Sequence, residues 1–103
     1  MKVFVSWSGG KESCLACYTA ISEGFEVSCL LNMATLNGAR SMTHGMGSHI
    51  LRIQSACIGI PIIQKRTQWT AYERDFREAV RRLMAHGQPL HRQVRGSIRR
   101  MFP

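Results

Sequence analysis

The sequence predicts an α/β fold, a partial doubly wound parallel sheet of three strands and three helices, and three observations predict it. Short β-branched or aromatic runs alternate with longer stretches at helical spacing. Each helical stretch stops at a glycine, in turn Gly24, Gly59 and Gly87. The first run, Val3-Phe4-Val5, is apolar at consecutive positions, as in a strand buried on both faces. Strands alternating with helices pair in parallel through crossover connections.

The elements follow in chain order. Lys2 to Trp7 reads as the first strand, bounded by Ser8-Gly9-Gly10. Glu12 to Glu23 carries Leu15, Tyr18, Thr19 and Ile21 at near-helical spacing, and Glu26 to Met33 reads as a second buried strand. Residues 34–47 are loop-like, with Asn37-Gly38 and the pair Gly45 and Gly47. Ser48 to Ile58 predicts a second helix, and Pro61 to Lys65 a third strand with proline at its first residue. Thr70-x-x-Glu73 is a capping box for a third helix, whose apolar face is Tyr72, Phe76, Ala79, Val80, Leu83 and Met84.

The rhythm calls for a fourth strand after Gly87, but Gln88 to Gln93 holds no apolar run. Strands four and five are therefore expected to be absent, with residues 1–87 forming the first half of a larger domain. The first strand is left as an edge whose unpaired backbone groups invite a second copy, a homodimer.

With 103 residues, 45% hydrophobic and 19% charged, the composition is that of one small globular domain. No apolar run reaches the roughly 18 residues of a membrane helix. The N-terminus lacks a signal-peptide stretch, so the expected location is cytoplasmic. Half of the net charge of +8 sits in the last sixteen residues, as Arg92, Arg95, Arg99 and Arg100 with no acid. The rest of the chain is only mildly basic, which argues against a nucleic-acid binder throughout. In residues 88–103, Leu90, Val94, Ile98 and Met101 recur at helical spacing among those arginines. A small basic module that binds nucleic acid or an acidic surface is thus an alternative function. Cys14-x-x-Cys17 supplies a second alternative, thiol redox chemistry. Its cysteines fall in the second helical turn, past the N-terminus where a thiolate is best stabilised.

The segment Ser8-Gly9-Gly10-Lys11-Glu12-Ser13, between a strand and a helix, carries the chemistry. Two glycines let amide groups approach an anion, and the helix N-terminus adds partial positive charge. Ser8 and Ser13 offer hydroxyls and Lys11 a mobile cation, a set that suits pyrophosphate. A Walker-type loop is excluded because Val5 stands where its first glycine belongs and Glu12 follows Lys11.

This loop resembles the Ser-Gly-Gly-x-Asp-Ser pyrophosphate loop (PP-loop) of N-type ATP pyrophosphatases. The longer string from Phe4 to Ala16 is similar to the diphthine–ammonia ligase family. Asn32-Met33, Thr43-His44-Gly45 and Gly59-Ile60-Pro61 extend that resemblance over about residues 2–87.

The resemblance implies a Rossmann-like, HUP-type sheet that binds ATP with Mg2+. It implies that Ser8, Gly9, Gly10 and Ser13 cradle the β and γ phosphates, with Lys11 beside them. Lys11 and Ser13 are the residues it carries over as catalytic. Glu12 stands where the family usually has Asp, Met33 borders the adenine, and His44 and Gly45 lie toward the substrate side without an assigned role. The implied reaction activates a carboxylate as an acyl-adenylate with release of pyrophosphate, and ammonia then displaces AMP. The implied carboxylate is that of diphthine on elongation factor 2. Family members continue with an apolar strand ending in a Gly-Asp-Ile-type motif and a substrate-binding half. Residues 88–103 do not resemble that continuation, so a truncated chain with weak or no ligase activity is expected.

Overall fold

The computed structural model describes residues 2–85 and 92–93, with side chains over residues 2–83. Its elements are β1 (Lys2–Ser6), α1 (Lys11–Ser22), β2 (Glu26–Ala34), α2 (Ser48–Ile58), β3 (Ile62–Arg66), a 3-10 turn (Trp69–Ala71), α3 (Tyr72–Ala85) and β4 (Arg92–Gln93). The sheet order is β3-β2-β1-β4 and every pairing is parallel.

That order explains how the helices are distributed. The crossovers through α1 and α2 step outward from β1, and the chain then steps back past β1. With one handedness of crossover, α3 must lie on the other face. The core divides accordingly. Val3, Val5, Trp7 and Leu30 pack with Ala16, Cys17 and Ala20 of α1 and Leu51 of α2. Phe4, Cys29 and Leu31 pack with Ala79 and Leu83 of α3. Successive residues of β1 thus serve opposite layers, which is why Val3, Phe4 and Val5 are all apolar and all 0% exposed.

The three expected parallel strands and three helices are all present. Beside them stands a two-residue stub, β4, in which Arg92 and Gln93 pair with Val3 and Phe4. Strand pairing uses backbone groups, so a stub this short leaves no hydrophobic pattern to read. It also occupies the β1 edge at Val3 and Phe4, the edge on which the homodimer expectation rested.

The helix α1 is formed as expected, and it buries Ser13, Ala16, Cys17 and Ala20. Tyr18, among the residues whose spacing marked the helix, is 68% exposed, and Leu15 and Ile21 are exposed as well. Small side chains let the helix axis come close to β1 and β2, and the bulky ones are turned outward.

One expectation needs correcting: α3 begins at Tyr72, after Thr70 of the proposed capping box has been drawn into the 3-10 turn, which Gln68 enters without a side-chain cap. In a 3-10 turn residues i and i+3 eclipse, and Trp69 stacks on Tyr72 with ring centroids 5.3 Å apart. The apolar face of α3 is otherwise as expected, with Phe76 and Val80 half-buried beside Ala79 and Leu83. The Met84 side chain, Gly87 and the tail apart from Arg92 and Gln93 lie outside the described residues. At Arg92 and Gln93 themselves the chain is strand, where the tail reading expected helix.

Polar contacts fasten α3 to the end of β3. Lys65 Nζ pairs with Glu78, and the Thr67 hydroxyl donates to Asp75 Oδ2 at 2.7 Å. The Thr67 bond, followed by the Arg74 guanidinium, holds the Asp75 carboxyl below its ordinary value of 3.8. A carboxyl depressed in the folded state stabilises the fold above its unfolded value and loses that contribution as pH falls through the folded one. Thr67→Val should therefore lower stability near neutrality, with the difference from wild type shrinking below about pH 4. Urea denaturation at pH 7 and pH 3 measures it, and an equal difference at both would overturn it.

Candidate functional site

β1 ends at Ser6, and the Trp7 amide continues its ladder with one more bond, to the Leu31 carbonyl at 2.7 Å. The chain then turns through Ser8 and Gly9 into α1. Gly9 has φ +87°, a left-handed conformation, and a β-carbon there would lie 2.5 Å from Met46 Sδ and 2.7 Å from Leu51 Cδ2. Both the backbone and the packing against α2 demand glycine at this position.

Gly10 differs. Its φ of −87° and ψ of 178° are extended backbone open to any residue, and it forms the N-cap of α1. The first helical bond runs from the Cys14 amide to the Gly10 carbonyl at 3.1 Å. No side chain caps this end of α1. The first-turn amides thus have neither an intrahelical acceptor nor a side-chain one, and they carry the positive end of the helix dipole.

The residues singled out in the sequence fall into two groups. Ser13 is 1% exposed and works from beneath. Its Oγ accepts the Ser8 amide at 2.9 Å and shares a hydrogen bond with Ser8 Oγ at 2.9 Å, which draws the two ends of the loop together. Lys11 and Glu12 stand exposed on the first turn, with Glu12 its one acid. Met33 is buried on the neighbouring strand, two residues beyond the Leu31 that pairs with Ser6.

Two positioning roles, those of Gln54 and Asn32, escaped the sequence reading. Gln54 of α2 accepts the Trp7 indole N–H at 3.0 Å and donates to the Gly9 carbonyl at 3.1 Å, clamping both sides of the loop. Asn32, fully buried, donates to the Trp7 carbonyl at 2.8 Å and to Ser41 Oγ at 3.0 Å. Its own oxygen accepts Gln64 Nε2 at 3.1 Å. Gln64 also donates to Ser48 Oγ, whose hydroxyl donates to the Gly38 carbonyl. One polar network thus joins the loop to β2, β3, the start of α2 and the 34–47 segment. The available signal was Asn32 itself, a polar residue inside the apolar run from Cys29 to Met33.

The 34–47 segment folds back toward the loop. Residues Ala34 and Ser41, and Arg40 and Gly47, form isolated antiparallel bridges. At its tip His44 has φ +66° and Gly45 φ +63°. A left-handed residue other than glycine costs about 1–3 kcal/mol. The turn brings the His44 ring beside Gly10.

The cysteines are unpaired. Burial, and then the neighbouring Cys14, push the Cys17 thiol up from its ordinary value, opposite to what a reactive thiolate requires.

A double-glycine turn leaving an inner parallel strand where the strand order reverses, and opening onto an uncapped helix, defines a PP-loop α/β domain. The comparison with known families agrees. The chain matches the family described as "Diphthamide synthase N-terminal domain" over residues 1–100, and it belongs to that family, a PP-loop, ATP-utilising family of diphthamide biosynthesis. The match runs past residue 87, where the resemblance read from the sequence ended. A search of curated proteins found no match.

Proposed function

We propose that this chain binds ATP through residues 8–13, as the N-terminal part of the site of a cytoplasmic amide-forming ligase reaction of the diphthine–ammonia type, with weak or no ligase activity by itself. Bound ATP supplies activation of a carboxylate, with pyrophosphate as the leaving group, so that ammonia can form the amide. By family resemblance the carboxylate is that of diphthine on elongation factor 2. The uncapped first turn of α1 behind Gly9 and Gly10 carries this reading.

The chain's own residues have distinct tasks. The amides of that turn and the Ser8 hydroxyl hold the phosphate oxygens, and Ser13 fixes Ser8 in place. Lys11 balances the charge of the leaving group, a positioning and electrostatic role that needs no protein nucleophile. Met33 offers an apolar edge to the adenine. Among the described residues no three His, Cys, Asp or Glu side chains gather to hold a metal. Mg2+ would be held by the triphosphate, where it would offset the phosphate charge, with Glu12 the carboxylate that the first turn of α1 offers it.

Gly10→Asp tests the reading. The extended backbone accepts Asp, and a β-carbon there meets nothing closer than His44 Cδ2 at 3.8 Å. An Asp N-cap stabilises a helix by roughly a few tenths of a kcal/mol relative to Gly. Its carboxylate would stand where phosphate binds, and two charges about 4 Å apart repel by about 1–4 kcal/mol between bulk water and a protein surface. The variant should melt at or above the wild-type temperature and bind ATP about tenfold more weakly or worse. Equal ATP affinity in a calorimetric titration would sink the assignment.

A further inference from the structure

The space over Gly10 is bordered by two polar groups. A β-carbon on Gly10 would lie 3.8 Å from His44 Cδ2 and 4.0 Å from Ser8 Oγ, with no other non-neighbouring atom within 4 Å. The slot left by the missing side chain therefore has a hydroxyl and an imidazole at its margin and the uncapped amides of α1 at its base. His44 reaches it from a segment 34 positions further along the chain.

The backbone at His44 is not one that histidine is needed to make. His44 and Gly45 have successive positive φ values, the pattern of a type I′ turn, for which Asn, Asp or Gly is preferred at the first position. The turn is fastened from several sides. Arg40 Nη1 donates to the Gly45 carbonyl at 2.9 Å, the Ser41 amide to the Met46 carbonyl at 2.8 Å, and the Met42 amide to the Met33 carbonyl at 2.8 Å. The ring held by this scaffold is exposed, and among the described residues no protein group bonds its nitrogens. A non-glycine residue in a left-handed conformation is thus held with its side chain beside the loop.

We propose that the His44 imidazole is a phosphate-binding group that completes the slot over Gly10, donating a ring N–H to the pyrophosphate portion of the bound nucleotide. The inference rests on the reading of residues 8–13 as the triphosphate site and deepens it. Ser8 and the α1 amides hold the phosphate from the loop, and His44 approaches it from the 34–47 segment. The ligand class is a nucleoside triphosphate or free pyrophosphate. Adenosine, which lacks the phosphates, does not engage this ring.

His44→Gly separates binding from turn geometry, because glycine suits the left-handed position better than histidine does. The full chain, wild type and variant, is titrated calorimetrically with ATP, inorganic pyrophosphate and adenosine, and thermal unfolding is recorded for both. The variant should melt at the wild-type temperature or above it. It should lose about tenfold in affinity for ATP and pyrophosphate, as expected for removal of one charge-assisted hydrogen bond. Its adenosine binding should not change. Unchanged ATP and pyrophosphate affinity in His44→Gly overturns the role of His44 while leaving the loop assignment standing. Failure of the wild type to bind either phosphate ligand overturns both. Nitrogen NMR of the His44 ring in the wild-type chain needs no variant. Its resonances should shift on addition of pyrophosphate, and unmoved resonances at saturation would also overturn the proposal.

Discussion

Gly9→Ala should unfold the loop and much of its surroundings. The alanine β-carbon meets Met46 Sδ at 2.5 Å, Leu51 Cδ2 at 2.7 Å and Gln54 Oε1 at 3.1 Å, distances that side chains do not sustain. Met46 has some freedom to move, but Leu51 is fully buried in the layer between α2 and the sheet. Any retreat by Gln54 breaks its bonds to Trp7 and Gly9. Overpacking of this kind costs about 1–3 kcal/mol. The left-handed backbone adds about 1–3 kcal/mol more for a residue with a β-carbon. For a domain near 100 residues, each kcal/mol moves the melting temperature by about 4–8 °C. A fall of roughly 10–45 °C is therefore expected, with loss of ATP binding. Gly10→Ala is the matched control, since its methyl finds ordinary contact distances and an extended backbone. Alanine is a poorer N-cap than glycine, so the control's melting temperature should fall by only a few degrees. If Gly9→Ala melts with Gly10→Ala, the tight packing of the turn against α2 is refuted.

Asn32→Leu should come next in severity. The substitution keeps the branched shape but is bulkier, so some overpacking adds to the loss of the hydrogen bonds. The Trp7 carbonyl loses its bond from Asn32 Nδ2, and Gln64 Nε2 loses its bond to Asn32 Oδ1. Each buried polar group left unsatisfied costs about 1–3 kcal/mol. Gln64 retains its bond to Ser48, so the Trp7 carbonyl carries the larger share. A net loss of about 3 kcal/mol follows, read by urea denaturation with an unchanged m-value. ATP affinity should fall as well, because Trp7 enters the loop directly. Asn32→Asp keeps the acceptor for Gln64 but sets a carboxylate oxygen against the Trp7 carbonyl, and should be no milder at neutral pH. A Leu variant as stable as wild type would show that the network contributes nothing to holding the loop.

The two substitutions probe different kinds of legibility. Gly9 stood out in the sequence because paired glycines after a strand mark a turn whatever lies around it. Asn32 was noticed only as part of a short motif, since the value of a buried amide depends on carbonyls and hydroxyls brought from elsewhere. Ser13 was noticed, but its place under the loop was not. Its hydroxyl bonds to the Ser8 amide and Ser8 hydroxyl, a pairing that the sequence did not show. On α1 the large residues carried the pattern and the small ones carried the packing, because a close-lying helix has room only for Ala16, Cys17 and Ala20 against the strands.

The amino-acid sequence alone determined the succession of three strands and three helices, the glycine turn after β1 and the family resemblance. Those features arise from local backbone preference and short-period patterning, which a linear reading detects. Tertiary structure decided the rest. It set the Gln54 clamp on Trp7 across 47 positions, the Asn32 bond to Trp7 across 25 and the approach of His44 to Gly10. It also seated Arg92 and Gln93 beside Val3 and Phe4. These contacts join residues far apart in the chain through single hydrogen bonds, backbone pairing or close approach. Such interactions impose no repeating pattern on the residues that make them, and only the folded chain brings the partners within reach.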